Sequence, residues 1–219
     1  MEGAVWAVSM SADKRVRRVT GAAQQQLETY LYWQSLPIGD RVSAVWDASE
    51  AAYSFAAAFK GVPIDDAQGS ERLLRAFNEH GVRYLVVGGY AFGVHAEPRA
   101  TKALDLRIRP DEGYSAAVYR ALTQYGAPLD GLSPRDFMDG STLQVGQPPA
   151  RVDILQRIDG LTFDEAWQHR IEGLIDGEVQ INLISKADLI RNKLACGREQ
   201  DVLDVKKLRT PAGEIGPDE

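Results

Sequence analysis

The first third of the chain repeats apolar residues with the period of α-helices. Over residues 21–36 a glutamine run leads into leucine, tyrosine and tryptophan, and Pro37 ends the pattern, which predicts one helix. Over residues 40–59 apolar residues recur at spacings of three and four, which predicts a second helix with one buried face. Glycine and proline then interrupt the pattern, so we expect a boundary at residues 60–68.

Beyond this boundary the pattern alternates between helical and two-residue periods. The predicted helices cover residues 71–80, 88–95, 110–125, 186–195 and 199–208, and the predicted strands cover residues 83–87, 102–109, 143–145, 151–155 and 179–184. The fold class is therefore expected to be α/β (α+β), with a small mixed sheet flanked by helices over residues 66–209. A helical module at residues 13–65 should pack on it, and residues 1–12 and 210–219 should form tails.

Length and composition limit the classes of protein to consider. A chain of 219 residues with 44% hydrophobic and 26% charged residues suits one medium globular domain with an appendage. The net charge of −6 argues against a general nucleic-acid coat. No apolar run reaches the roughly 18 residues of a membrane span, and a single cysteine, Cys196, fits a reducing compartment. We expect a cytoplasmic protein without a signal peptide.

Two aspartates stand within predicted apolar strands. Asp105 lies in the strand over residues 102–109, and Asp153 lies in the strand over residues 151–155. Residues 103 and 105 face the same side of their strand, because side chains alternate along a strand. Mg²⁺ prefers carboxylate oxygens together with substrate phosphates. The alternative is that both aspartates face solvent and form salt bridges with Arg107 or Arg151.

Gly88 and Gly89 follow a buried strand and open a predicted helix. Glycine lets the backbone approach a ligand closely, and the N–H groups at a helix start suit a phosphate. The alternative for such a pair is an ordinary tight turn. The acidic strands nearby favour phosphate binding.

Three segments together resemble the polymerase-β-type nucleotidyltransferases. They are Val86-Val87-Gly88-Gly89-Tyr90, Arg99-Ala-Thr-Lys-Ala103-Leu-Asp105-Leu and Arg151-Val-Asp153-Ile-Leu. The sequence of these segments is most similar to that of the small bacterial toxin-type members, the AbiE toxin group and its relatives. Those proteins carry a sequence like Thr-Lys-Asp-Leu-Asp-Leu. This chain departs from it at Ala103, the position of the first metal-binding aspartate.

The resemblance implies a polymerase-β-like core and an Mg²⁺-dependent enzyme. Such an enzyme moves a nucleoside monophosphate from an NTP such as ATP to a hydroxyl of a tRNA or of a partner protein. Asp105 and Asp153 would hold the metal. The residues implied to bind the nucleotide are Gly88, Gly89, Arg99, Thr101, Lys102 and Lys193. The alternatives are a solvated loop for residues 99–102 and a surface position for Lys193.

The alanine at position 103 leaves two of the three expected carboxylates. The resemblance therefore implies that catalysis by this chain is impaired. One alternative is a non-catalytic module that binds nucleotide or joins a toxin–antitoxin complex with a cognate antitoxin. Another is a nucleic-acid-binding regulator that uses the basic run over residues 14–18.

Overall fold

A computed structural model describes residues 22–60, 69–101, 103–146 and 151–209. Its helices are α1 (Ala22–Ser35), α2 (Ile38–Lys60), α3 (Gly69–Glu79), α4 (Gly88–His95), α5 (Glu112–Tyr125), α6 (Phe163–Gln168), α7 (Lys186–Cys196) and α8 (Glu199–Arg209). Its strands are β1 (Tyr84–Val86), β2 (Ala103–Ile108), β3 (Thr142–Val145), β4 (Arg151–Leu155), β5 (Ile171–Ile175) and β6 (Val179–Leu183). A short 3-10 helix covers Pro134–Phe137.

The six strands form one mixed sheet in the order β3-β4-β2-β1-β6-β5. Strand β2 is parallel to β4 and antiparallel to β1, and β1 is parallel to β6. The edge strands β3 and β5 are antiparallel to their neighbours. This arrangement confirms the expected α/β class, with a mixed sheet flanked by helices.

Both faces of the sheet are covered. Leu104, Leu106 and Ile108 of β2 belong to the larger core, which also includes buried residues of α2, α3 and α5. A second core on α4, α7 and α8 includes Phe92 and Leu189. Central strands buried on two faces carry few exposed positions. The face of β2 that holds Ala103 and Asp105 is therefore mostly buried as well, and Asp105 is its partly exposed position.

Local signals account for several helix ends. The Asp111 side chain accepts a hydrogen bond from the N–H of Tyr114 at the start of α5, and Gly126 ends that helix in the left-handed conformation. Ser185 caps α7 in the same way, and Gly197 ends it. The bounds of α7 agree with the helix predicted over residues 186–195. Helix α6 and strand β5 were not predicted from the sequence.

The N-terminal helices α1 and α2 pack on the α/β part of the chain. The indole Nε1 of Trp33 donates to the carbonyl of Gly93 at 3.0 Å. The ring of Trp46 lies 5.5 Å from the ring of Tyr90. Their contact surface includes α4, the helix that begins with the glycine pair, and the end of β5, where the N–H of Asp176 donates to the Ser43 hydroxyl at 3.0 Å. The domain limits stay predictions, because residues 1–21, 61–68 and 210–219 lie outside the described residues, and so does the basic run over residues 14–18.

Among the described residues, no helix is both long and apolar enough to span a bilayer.

Candidate active site

Asp105 and Asp153 lie side by side on adjacent parallel strands. The register of β2 and β4 pairs Asp105 with Asp153, and it pairs Ala103 with Arg151. Asp153 is only 8% exposed. Two carboxylates at matched positions of neighbouring strands project from the same face of the sheet. The structure therefore brings the two predicted metal ligands together.

The glycine pair lies directly against this carboxylate pair. Gly88 has a φ of +61°, and a Cβ there would lie 2.0 Å from Oδ2 of Asp105. The N–H of Gly89 donates to the Asp105 carboxylate, and the N–H of Val87 donates to the Asp105 carbonyl at 3.0 Å. Position 88 therefore requires glycine for two reasons, its positive φ and its closeness to Asp105. The turn and the acidic strand form one unit.

Burial makes the Asp105 carboxyl hard to ionise. Desolvation, followed by repulsion from Asp153, raises its pKa to about 6. The Gly89 N–H and the cations of Arg151 and Lys193 act in the opposite direction. A buried carboxylate whose pKa rises in this way is stabilised when a cation binds beside it.

Arg151 neutralises part of the carboxylate pair. One of its guanidinium nitrogens donates to Oδ2 of Asp153 at 2.9 Å. The other oxygen, Oδ1 of Asp153, is buried without a hydrogen-bond partner among the described residues. The alternative of salt-bridged strand residues thus holds for Asp153 and Arg151, although Asp153 is buried rather than exposed. No ion pair joins Asp105 to Arg107 or Arg151 within the described ranges.

Lys193 is a buried lysine, 7% exposed, at the centre of a charged cluster. Its Nζ donates to Asp204 at 2.7 Å and to Asp201 at 2.9 Å. Arg99 donates to both carboxylate oxygens of Asp204, at 2.9 and 3.2 Å. We call these four residues the Lys193 cluster. The alternative of a surface lysine is wrong, because the α7–α8 hairpin folds two aspartates over the ammonium group.

Phe92 of α4 links this cluster to the glycine turn. The guanidinium of Arg99 lies 4.2 Å from the Phe92 ring centroid, and the ammonium of Lys193 lies 5.9 Å from it. Cations over an aromatic face gain further electrostatic stabilisation. The two cations predicted to meet phosphate are thus near the turn, but in this state both already bind carboxylates.

The segment before β2 also borders the turn. The hydroxyl of Thr101 donates to the carbonyl of Ala103 at 3.0 Å. A Cβ at Gly89 would lie 2.7 Å from the Thr101 hydroxyl oxygen. Thr101 therefore lies beside the glycine pair, as expected of a residue that lines this site. Lys102 lies outside the described residues.

The donor set suits one divalent cation better than two. Asp105 and Asp153 provide two adjacent carboxylates, one with a buried oxygen that lacks a partner. One or two carboxylates with substrate phosphates and water make a usual Mg²⁺ site. No group of three or more metal-ligating side chains occurs in the described parts of the chain. Ala103, the register partner of Arg151, lies on the same face of β2 as Asp105 and provides no ligand atom.

Sequence reasoning missed the importance of Asp204 and of Arg107. Asp204 is 1% exposed and receives hydrogen bonds from Lys193, Arg99 and Gln200. Its signal was an aspartate on the inner face of a helix, where unpaired carboxylates are rare. Arg107 lies two residues after Asp105 in β2, so both side chains are on the same face of the sheet.

Comparison with known proteins gives a limited result. No protein-family model matches the chain, and no curated protein sequence matches it. Among solved structures, the lincomycin-bound lincosamide antibiotic adenylyltransferase LnuA is 19% identical, with a TM-score of 0.44 over 65% of this chain and 96% of that chain. The antibiotic-resistance factor ANT(2'')-Ia is 12% identical, with a TM-score of 0.44 over 66% of this chain and 84% of that chain. Neither protein's substrate is assigned to this chain.

Proposed function

We propose that this chain has a nucleotidyltransferase-type site, which binds an NTP with one divalent cation. The observation that carries the proposal is the register of β2 and β4, which sets Asp105 beside Asp153 and directly against the Gly88–Gly89 turn. Carboxylates for a cation and a glycine turn for phosphate are the two parts that nucleotide transfer needs. The residues that resemble the nucleotidyltransferase motifs are those that meet here.

The reaction is transfer of a nucleoside monophosphate. A hydroxyl oxygen of the acceptor attacks the α-phosphorus of the NTP, the bond from that phosphorus to the bridging oxygen breaks, and pyrophosphate leaves. The hydroxyl proton is released to solvent or to a carboxylate. Bound Mg²⁺ would neutralise the phosphate charge. Asp105 and Asp153 would hold it, and the turn would orient the phosphates.

Arg99 and Lys193 provide positive charge beside the phosphate site. Their guanidinium and ammonium groups flank Phe92 of α4, close to the turn. Asp204 binds both groups and Asp201 also binds Lys193, so the charges of the cluster balance, and a phosphate would bind Arg99 or Lys193 by replacing one of these carboxylate partners. Thr101 and Lys102 belong to the same proposed nucleotide site.

The alanine at position 103 should impair transfer by this chain. It removes one carboxylate from the face that carries Asp105, and the register places Arg151 next to it. Loss of one preorganised electrostatic group typically lowers a rate about a hundredfold or more. We therefore propose an enzyme of reduced activity, of the bacterial toxin type. Its acceptor is a hydroxyl of a tRNA or a partner protein, and the net charge of −6 favours a protein.

The test is to restore the missing carboxylate. Ala103→Asp should bind Mg²⁺ more tightly and gain transfer of labelled NMP to tRNA or to a candidate partner protein, by about a hundredfold or more. Ala103→Asn is the matched control, since it has the same shape without the charge and should gain nothing. If Ala103→Asp gains neither Mg²⁺ affinity nor label transfer, position 103 is not a metal position.

A second candidate is a non-catalytic nucleotide-binding module of a toxin–antitoxin complex. The salt bridge from Arg151 to Asp153 favours it, because a protein cation already neutralises one metal ligand. Calorimetry with ATP and Mg²⁺ separates the two candidates. ATP binding without turnover, even in Ala103→Asp, would support the module, and turnover in that variant would support the enzyme.

A further inference from the structure

A polar cleft opens at the end of β2 that lies away from Ala103. It lies where the carboxyl ends of β2 and β4 meet the start of α6, and its volume is about 550 Å³. Arg107, Arg109, Gln156 and Arg157 are among the residues that line it. The glycine turn lies at the opposite, Ala103, end of the strand. We call this cavity the Arg107 cleft.

Arg107 is an unusual residue for the wall of a cleft. It is 5% exposed, and its Nε and Nη1 atoms are buried without hydrogen-bond partners among the described residues. In the same ranges no carboxylate forms an ion pair with it, and its guanidinium carbon lies 5.9 Å from the centroid of the Phe163 ring. Burial alone lowers its pKa to about 10. A buried guanidinium without an anion is costly for a folded protein.

The other arginines of the cleft already have partners. Arg109 bonds to Asp111 at 2.9 Å and to Asp164 at 3.3 Å. Arg157 donates to the carbonyl of Asp139 at 3.2 Å. Asp111 and Asp164 also line the cleft, so three arginines there face two carboxylates, and the buried donors of Arg107 stay unsatisfied. The local excess of positive charge favours an anion in the cleft.

We propose that the Arg107 cleft binds the oxyanion of a small molecule, and that the guanidinium of Arg107 is its principal partner. The planar fork of an arginine matches the paired oxygens of phosphate and of carboxylate groups. The cleft volume admits a small ligand around that group. This site is separate from the proposed nucleotide site, because Asp105, Asp153 and the glycine turn do not line the cleft.

The experiment measures unfolding in urea at pH 7.5 with sodium phosphate, sodium acetate or sodium chloride at equal ionic strength. The unfolding constant of the unsubstituted protein should fall about tenfold when phosphate or acetate reaches roughly ten times its Kd. The more effective anion identifies the phosphate or the carboxylate as the preferred group. No effect of either anion beyond that of chloride would overturn the proposal.

Substitutions locate the effect. Arg107→Met removes the buried charge at similar volume, so its unfolding constant without added anion should be about tenfold lower than that of the unsubstituted protein. It should not respond to phosphate or acetate. Arg135→Met, at an exposed arginine outside the cleft, should keep the response. A destabilised Arg107→Met variant that still responds would overturn the proposal.

Two further measurements test whether phosphate binds at the nucleotide site instead and replace Arg107→Met if that variant does not fold. Gly89→Ala obstructs the glycine turn and should keep the stabilisation by phosphate. If this variant loses that stabilisation, the phosphate binds at the nucleotide site, and the proposal is overturned. If Arg107→Met does not fold, calorimetric titration of Arg107→Lys with phosphate replaces it. This variant keeps the charge without the fork, and its affinity should be at least about tenfold weaker.

Discussion

A methyl group at Gly88 would lie 2.0 Å from the carboxylate oxygen Oδ2 of Asp105. The glycine at the start of α4 therefore leaves the space that the aspartate of β2 occupies. In return, the Asp105 carboxylate accepts the N–H of Gly89 and holds the first turn of the helix. The phosphate-binding and metal-binding parts of the proposed site thus depend on each other's position.

Gly88→Ala should be strongly destabilising and should displace Asp105. An alanine with φ near +60° costs about 1–2 kcal/mol, and the contact with Asp105 adds to that cost. Urea denaturation should show a loss of at least about 2 kcal/mol. Gly113→Ala is the control, since position 113 lies in α5 with ordinary space around it. It should be neutral or slightly stabilising. Equal stability of the two variants would contradict the described turn.

Asp105→Asn should make the protein more stable at neutral pH. The pKa of Asp105 is raised to about 6, so the folded state favours the protonated form. That contribution is complete below pH 4 and is lost as pH rises through 6. The neutral amide avoids this loss, so the variant should gain about 2–3 kcal/mol at pH 7 and nothing at pH 4. Denaturation at both pH values checks this, with Asp130→Asn, at an exposed aspartate, as the matched control. A gain that is independent of pH would show that Asp105 titrates normally.

Asp204→Asn should lower the free energy of unfolding more than Asp201→Asn, the change to the other acid of the Lys193 cluster. Burial raises the pKa of Asp204, but hydrogen bonds from Arg99, Lys193 and Gln200 outweigh burial and hold it below its usual value. Removing this buried charge leaves two cations with too little compensation, at a cost of about 3–5 kcal/mol. Asp201→Asn is the matched control, because Asp201 bonds to Lys193 alone in the cluster, and it should cost less than half as much. Equal costs would contradict the central role of Asp204.

Trp33→Ala should loosen the N-terminal helices from α4. Trp33 is buried and donates to the Gly93 carbonyl, so truncation should cost about 3–5 kcal/mol. Tyr32→Ala, at a neighbour that is 53% exposed, should cost little and serves as the control. Denaturation and limited proteolysis within α1 would test this. Unchanged protection of α1 in Trp33→Ala would contradict the observed docking.

Much of the fold could be predicted because its signals are local. The two-residue period of β2 placed residues 103 and 105 on one face, and the glycine pair marked the start of α4. Strand β5 was missed, since Gly173 and Glu172 dilute its apolar pattern over only five residues. Helix α6 is six residues long, yet its capping box between Thr162 and Glu165 was a usable signal.

The arrangement of the site depends on contacts distant in sequence. The register that pairs Asp105 with Asp153 joins strands about fifty residues apart, and no local pattern specifies it. The bond from Lys193 to Asp204 depends on the turn at Gly197, which brings α8 back onto α7. Arg107 belongs to the polar positions of β2, but the segment around Phe163 covers it.

Strand β2 carries Asp105 and Arg107 on one face, so the register of this one strand determines the positions of both side chains. Insertion of one residue before position 103 would turn both side chains toward the opposite core and bring leucines in their place. A substitution can change either residue alone, but an insertion or deletion in β2 moves both side chains together. A requirement for Arg107 therefore also keeps position 105 on the face that meets Gly88, whichever residue stands at position 103.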